Sequence, residues 1–390
     1  MADAVILQPD RDLIHDVMEG GGGDMKKCFQ CATCSSVCEL STETRPFPRK
    51  QVLEAQWGMT NQLIGDPAIW LCHSCGDCSV RCPRGGRPGD IMGAVRAAVV
   101  KRLAFPRFMA TMVSTPVRAT LTLLLCALVI LSIATLPSYQ SLTSPIVFAD
   151  IFPKARLEQL FFAVSGFVLL ALAVSATRFA KALRSAGANG PILAALFPAL
   201  VDVMSHRRFA NCTVEQNRRW GHMLALYAFL GLAVMGTVVG IGSMFGVIDT
   251  PLPILHPLKI FANVCAVVLF AGVLVLVWNR MLDPAKRAAS TFFDWFFLSV
   301  LAGVAVTGIA SEALRLVQTQ TWMFSIYFVH LTLVLTLFLS TPYSKFVHFL
   351  YRTMALAATW EEQKSSRRVP LSTSAPTASP EGPGFHPASS

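Results

Sequence analysis

The chain has 390 residues, of which 53% are apolar and 14% charged, with a formal net charge of +10. The apolar residues are unevenly spread: residues 1–107 hold most of the acidic groups, and long apolar runs begin only after them. That division excludes one uniform water-soluble core, and the placement of the basic excess in the links between apolar runs excludes a nucleic-acid footprint as its main meaning.

Residues 1–24 read as a flexible leader. Their start, MADAVILQPDRD, has neither the basic beginning nor the sustained apolar stretch of a secretion signal. The GGGG run at 20–23 lacks the preceding strand, the lysine and the hydroxyl that a phosphate loop needs.

Two cysteine motifs follow, CFQCATCSSVC (28–38) and CHSCGDCSVRCP (72–83), with the shared spacing C-x2-C-x2-C-x3-C. Such a loop offers three thiolates to one iron–sulfur cluster, while its fourth cysteine reaches a second cluster. Two motifs that exchange their fourth cysteines complete two [4Fe-4S] clusters. The expected ligand sets are Cys28, Cys31, Cys34 and Cys82 for one, and Cys72, Cys75, Cys78 and Cys38 for the other. Zinc sites use paired C-x2-C arms and would leave a third cysteine in each arm unexplained. Disulfides need an oxidising compartment and usually wider spacing. Cys126 and Cys265 in apolar runs and Cys212 in a polar loop read as small hydrophobes, and His73, between two ligands, as a residue that tunes a cluster. Between the motifs, Val52, Leu53, Trp57 and Met59, followed by Leu63 and Ile64, predict one amphipathic helix and a short turn. A domain as small as 25–107 would draw much of its fold from bound clusters.

Six apolar runs come next, at 118–136, 157–176, 222–242, 257–278, 291–310 and 322–341. Each is near the roughly 20 residues that a helix needs to cross a hydrocarbon core of about 30 Å. PILAALFPALVDVM (191–204), with Pro198 and Asp202, is shorter and reads as a buried or interfacial helix. Basic residues crowd alternate links: Lys101, Arg102, Arg107 and Arg118 before the first span, Arg178, Lys181, Arg184, Arg207, Arg208, Arg218 and Arg219 after the second, and Arg280, Lys286 and Arg287 after the fourth. The links after spans one, three and five hold two, none and one. Cytoplasmic enrichment of Lys and Arg predicts a multi-pass protein of the cell inner membrane, with the cluster domain and both termini in the cytoplasm.

Of eight histidines, His222, His256, His330 and His348 fall in or at the ends of spans. An ionisable group there is costly and marks a functional site, and neutral imidazole is an axial ligand to haem iron. His330 and His348 are 18 residues apart, about 27 Å along one helix, and five turns bring them back to the same side. The topology pairs His222 with His348 for an inner haem b and His256 with His330 for an outer one. If His256, which precedes Pro257, is only a helix-start residue, there is one haem. His15, His206 and His386 read as solvated or hydrogen-bonded histidines. Asp202, Glu215, Asp294 and Glu312 are candidate proton-handling groups, each of which also reads as a solvated or helix-end carboxylate. The expected fold is mainly α: a small ferredoxin-like two-[4Fe-4S] domain fused to a six-span transmembrane bundle of cytochrome b type. Its segments are 1–24, 25–107, 108–352 and a disordered Pro/Ser-rich tail at 353–390.

Two cysteine quartets followed by histidine-bearing spans resemble a fusion of two heterodisulfide reductase components, the iron–sulfur C-type subunit and the membrane-embedded E-type subunit. The haem region is similar to the gamma subunit of respiratory nitrate reductase, whose last-helix histidine pair matches His330 and His348. Over residues 20–350 the chain resembles the membrane-embedded C-type subunit of quinone-interacting membrane-bound oxidoreductase complexes. It departs from the nitrate reductase pattern in WGHMLALYAFLGL, where Leu232 stands at the position of a second ligand and His256 would replace it. The resemblance implies electron exchange between a menaquinone-type quinone or quinol and flavin/iron–sulfur subunits of the same complex, with an indirect link to adenylylsulfate reductase. No nucleic-acid partner is expected. A membrane-bound disulfide reductase component is the alternative, although that family places substrate chemistry on adjacent cysteines in another polypeptide, and no two cysteines are adjacent here. A redox-sensing transporter would need charged residues along mid-span positions, where Asp294 is almost alone.

Overall fold

The computed structural model describes residues 8–134, 147–188, 190–206, 216–282 and 290–361, and all regular structure among them is helical. Helices α1 (Arg11–Val17), α2 (Arg49–Gln56) and α3 (Pro88–Leu103) frame the cysteine loops. Asp10 caps α1 by accepting from the Leu13 N–H at 3.0 Å, which satisfies one of the orphan donors of the first turn. α1 buries Leu13 and Val17, and Asp16 accepts from Lys101 at 2.6 Å and Arg102 at 2.7 Å of α3. The flexible leader expected over 1–24 is therefore corrected: from Asp10 onward the chain is capped, ion-paired and packed.

The single helix expected after the first motif is divided. α2 ends before Gly58, whose φ of +66° turns the chain into a second helical segment, Thr60–Gly65. A Cβ on Gly58 would lie 2.6 Å from the Asp10 carbonyl oxygen, so this crossing of two backbones requires glycine. Val52 and Leu63 are buried as the pattern predicts, whereas Trp57 is 54% exposed.

Beyond α3 run α4 (Pro116–Ile133), α5 (Lys154–Ser185), α6 (Ile192–Met204), α7 (Gln216–Met244), α8 (Pro257–Leu282), α9 (Phe292–Val317), α10 (Gln320–Ser340) and α11 (Val347–Ala358). Among the described residues six segments are long and apolar enough to cross a membrane: α4, α5, α7, α8, α9, and the stretch from Trp322 to Ala358. Leu121, Leu124, Leu125 and Leu128 are each more than half exposed and share one face of α4, as suits a helix whose solvent is lipid. α7 and α8 approach closely through small residues, since a Cβ on Gly272 would lie 2.6 Å from the Ala225 nitrogen. At 13 residues, α6 is about 20 Å long, short of a bilayer core. Ile192, Ala195 and Ala199 bury its inner face against α11, as expected of a buried or interfacial helix.

The last span is broken. α10 stops at Ser340, a tight turn occupies Thr341–Tyr343, and α11 starts at Val347. Pro342 has no N–H to continue the helical ladder and its ring crowds the preceding turn, and Ser344 is extended, with φ −112° and ψ −171°. His330 thus lies on α10 and His348 on α11, which corrects the five-turn register expected of them on one helix. α11 continues to Ala358 with Thr353 to Ala358 buried, so the tail boundary expected at 352 falls inside a packed helix. Residues 362–390, Cys212, Glu215 and His386 lie outside the described residues.

One apolar core joins the two halves of the chain. It includes Ile91, Val95 and Val99 of α3, Phe179 and Leu183 of α5, Ala195 and Ala199 of α6, and Tyr351 and Ala355 of α11. Arg178 of α5 donates to the carbonyls of Leu103 and Ala104 at 3.2 and 2.5 Å, satisfying acceptors left over at the end of α3. The cysteine-bearing domain and the inner ends of the spans are packed as one body.

Within this core Glu54 is 5% exposed. Its nearest cation is Lys50 at 3.6 Å, and Oε2 has no hydrogen-bond partner. Burial pushes its carboxyl up to about 7, with Asp66 adding to the rise and Lys50 opposing it. A carboxyl that is more basic folded than unfolded contributes stability at low pH, and this is lost as pH rises through the folded value. Glu54→Gln should therefore leave the melting temperature near pH 5 little changed. Above pH 7 it should raise stability by up to about 3 kcal/mol, read as a flatter dependence of melting temperature on pH between 5 and 8.

Candidate metal and redox centres

The two cysteine loops repeat one backbone. Two and four residues after the first cysteine, Gln30 and Ala32 have φ of 62° and 68°, and Ser74 and Gly76 have φ of 53° and 87°. These left-handed residues curl each loop back on itself, and a short helix follows, Thr33–Ser36 in one and Asp77–Val80 in the other. Donors point at sulfur: Gln30 Nε2 to Cys28 at 3.3 Å, the Ser74 N–H to Cys72 at 3.4 Å, and the Gly86 N–H to Cys82 at 3.3 Å. Hydrogen bonds of this kind favour the thiolate form.

Folding brings the fourth cysteine of each motif to the other loop. Cys82 lines one cavity with Cys28, Cys31 and Cys34, closed on its inner side by Val52 and Ile91. Cys38 lies among Cys72, Cys75 and Cys78. Burial pushes the Cys78 thiol up, and its neighbours Cys72, Cys75, Cys38 and Cys34 push it further. Cys38 is pushed up to about 11 by burial, with Cys72 and Cys75 adding to the rise against the N–H groups of Leu40 and Ser41. Thiols gathered this closely ionise together only around positive charge, which iron would supply. Among the described residues no three Cys, His, Asp or Glu side chains converge as they would on a single ion.

Two arginines fix the second loop. Arg96 donates to the carbonyls of Ile69 at 2.8 Å and Cys72 at 2.7 Å and to Ser74 Oγ at 2.9 Å. Arg352, from α11, donates to the Trp70 carbonyl at 3.2 Å, to that of Cys72 at 3.4 Å, and to His73 Nδ1 at 2.9 Å. Trp70 packs against Tyr351, ring centres 4.8 Å apart and planes tilted at 50°, and edges onto Phe179 at 6.0 Å.

The histidines separate into two groups. His222 on α7 and His348 on α11 face each other with ring centres 6.3 Å apart and planes at 73°. Two imidazoles bonded to one iron at about 2 Å each would hold their ring centres about 6 Å apart, so the pair fits a shared haem iron. His348 Nδ1 donates to the Lys345 carbonyl, which leaves Nε2 with its lone pair. His222 Nδ1 is 2.9 Å from His206 Nε2, and His206 Nδ1 is 2.7 Å from the Met204 carbonyl. His206 is 4% exposed, and burial holds it below the usual imidazole range. No spacing in the sequence relates residues 206 and 222, and only the fold joins them. His256 Nδ1 accepts from the Leu258 N–H at 3.3 Å in the first turn of α8, and His330 Nδ1 is 3.0 Å from Thr307 Oγ1 of α9. Among the described residues no hydrogen bond or ring contact joins His256 to His330. Asp294 caps α9 through the Thr291 N–H and pairs with Lys345, and Glu312 pairs with Lys259 at 2.7 Å and Arg315 at 3.0 Å. Both carboxylates are thus structural partners as well as candidate proton carriers.

Residues 24–86 match the 4Fe-4S dicluster domain, and residues 108–369 match the family described as Citrate utilization protein B. The chain is thus an iron–sulfur, membrane-associated protein with a redox role. It belongs to the Citrate utilization protein B family. Escherichia coli Citrate utilization protein B is 26% identical over 361 residues, covering 85% of this chain and 89% of that protein. The C-type subunit of the H(2):CoB-CoM heterodisulfide,ferredoxin reductase of Methanothermobacter thermautotrophicus is 32% identical over 92 residues, which are 24% of this chain and 50% of that protein. A protein of Archaeoglobus profundus, described as like the C-type subunit of heterodisulfide reductase, is 30% identical over 105 residues, covering 27% and 56%. The chain thus spans about half the length of these heterodisulfide reductase relatives. No solved structure matches it.

The crossed placement of Cys38 and Cys82 yields a selective expectation. In anaerobically prepared protein, Cys82→Ser should alter the paramagnetic resonance of the cluster bound by Cys28, Cys31 and Cys34 and leave the other signal intact, and Cys38→Ser should do the reverse. Each serine damaging its own loop's signal instead would refute the exchange.

Proposed function

We propose that this chain is the membrane-embedded electron-transfer component of an oxidoreductase assembly, linking a membrane quinone or quinol to a cytoplasmic flavin or iron–sulfur partner. The observation that carries this reading is the facing pair His222 and His348, the latter one helical turn from Arg352, whose guanidinium grips the carbonyls of the Cys72 loop. Two [4Fe-4S] clusters and a haem b, when bound, each take up and release single electrons. Cys28, Cys31, Cys34 and Cys82 would hold one cluster, Cys72, Cys75, Cys78 and Cys38 the other, and His222 with His348 the haem. The protein supplies donors to the cysteine sulfurs, fixes the second loop through Arg96 and Arg352, and buries both against one core. The local bonds of His256 and His330 favour one haem over two.

The quinone, the flavin partner and an indirect link to adenylylsulfate reductase come from the resemblance to quinone-interacting complexes. The relative aligned over most of the chain instead carries citrate utilization in its name, which supports an electron-transfer role in carboxylic acid metabolism as one setting. The second reading, a component of a membrane-bound disulfide reductase, has better support from the heterodisulfide reductase relatives than the quinone link has. There too this chain would act as a relay, because it has no adjacent cysteines to process a disulfide. The basic links support a cytoplasmic position for the cluster domain at the inner membrane.

Anaerobically purified protein should contain about eight non-haem irons and about eight sulfides per chain and show a reduced haem b spectrum. His222→Ala and His348→Ala should remove the same haem component, whereas His256→Ala should leave haem content unchanged. A short-chain menaquinone analogue should reoxidise the reduced protein. Bound zinc with little sulfide would overturn the cluster assignment. Reoxidation by an added disulfide but not by the quinone would move the function to the second reading.

A further inference from the structure

His206 has no role in the reading above, yet its surroundings are built. It follows α6 with φ of +50°, a left-handed backbone that a residue with a Cβ adopts at some cost. Its ring is buried and held at both nitrogens, by the Met204 carbonyl at 2.7 Å and by His222 Nδ1 at 2.9 Å. The Tyr227 hydroxyl donates to the same carbonyl at 2.7 Å, and the Tyr227 ring lies 6.4 Å from that of His206.

The direction of each bond follows from the chemistry of its ends. A carbonyl oxygen only accepts, so the proton between Met204 and His206 sits on His206 Nδ1. In the neutral ring Nε2 is then bare and can only accept. The proton between the two histidines therefore belongs to His222 Nδ1, and His222 Nε2 is left with its lone pair, the state an axial ligand needs. We propose that His206 is the positioning residue of the His222 and His348 site, orienting the His222 ring, fixing its tautomer and increasing its donation toward bound iron. This rests on the haem reading of that pair. His206 is not itself a third ligand: its Nε2 is committed to His222, and among the described residues no three such side chains converge on an ion. The two ligands are thereby unequal, one backed by a backbone carbonyl and the other by a neutral imidazole. Such outer partners set the orientation and basicity of a ligating histidine, and their loss weakens binding by about 10- to 100-fold.

The test uses the full-length protein in detergent, with His206→Phe and His206→Met lacking the acceptor and His206→Gln offering a carbonyl oxygen in its place. The readouts are the rate of haem transfer to apomyoglobin, the ferric spin state and the haem midpoint potential, with the cluster signals as the control for folding. Haem loss about 10- to 100-fold faster in the Phe and Met variants, a mixed-spin ferric spectrum and a shifted potential, all restored toward normal by Gln, are expected. Equal behaviour of the Gln, Phe and Met variants, whether all resemble the unmodified protein or all fail to assemble, overturns the proposal. His222→Ala separates the underlying assumption: if it leaves the haem spectrum intact, the haem reading of the pair fails, whereas loss of haem in His222→Ala with unaltered His206 variants sinks the His206 inference alone.

Discussion

The arrangement depends on one guanidinium. Arg352 reaches from the last helix to the Trp70 and Cys72 carbonyls and to His73, residues roughly 280 positions earlier in the chain. A guanidinium has several donors in a rigid plane and no acceptor, so it can bind several carbonyls of a loop whose cysteines are reserved for another purpose. Arg96 approaches the same Cys72 carbonyl from α3. Between them the two side chains take up acceptors that a loop curled around a cluster cannot satisfy within itself, since its left-handed residues break any regular ladder. Because Arg352 is one turn from His348 on α11, the same helix fixes both a candidate haem ligand and the nearer cysteine loop. Their separation is set by a single rigid element.

That helix is free to play this part because of Pro342. Had α10 run straight through, residues 347–358 would have continued along the span. The break instead delivers Tyr351, Ala355, Leu356 and Ala357 into the core shared with α3 and α5. The alanines let α6 and α11 come together closely, to the point that Gly190, just before α6, has no room for a side chain beside the Ala358 carbonyl. Packing of this kind costs little side-chain entropy and leaves the aromatic trio of Trp70, Phe179 and Tyr351 as the large residues that fill the junction.

What was legible in the sequence is what is local. Cysteine spacing announces a loop that curls on itself, and the length of an apolar run announces a span, because both properties are complete within about 20 residues. The nearness of Cys38 to the second loop and of Cys82 to the first is also what the spacing suggests, since a loop that supplies three thiols to one cluster leaves its fourth over. The sequence did not reveal the packing of α1, the division at Gly58, the break before α11 or the pairing of His206 with His222. Each is decided by contacts between distant segments: Asp16 with Lys101 and Arg102, Gly58 with Asp10, α11 with α6. Pro342 was visible but stands near the end of an apolar run, where a proline equally fits the natural end of a span.

Hydrogen-bond direction separates the two histidine pairs more sharply than distance does. His348 Nδ1 faces a carbonyl and must carry the proton, so its Nε2 is bare. His256 Nδ1 faces the Leu258 N–H and must accept, so in the neutral ring the proton sits on Nε2. As it stands, His256 caps the first turn of α8 with the nitrogen lone pair that helix ends require, and the nitrogen left over cannot coordinate without first losing its proton. Becoming a ligand through Nε2 would move that proton to Nδ1, where it would meet the Leu258 N–H head on. Capping and coordination are therefore exclusive roles for this ring. His330 is intermediate, because the Thr307 hydroxyl can donate or accept and leaves either tautomer open. The hydrogen bonds behind the inner pair suit the tautomer that a ligand needs, whereas the one behind His256 does not, and this follows from which groups stand behind each imidazole rather than from the positions of the histidines along the chain.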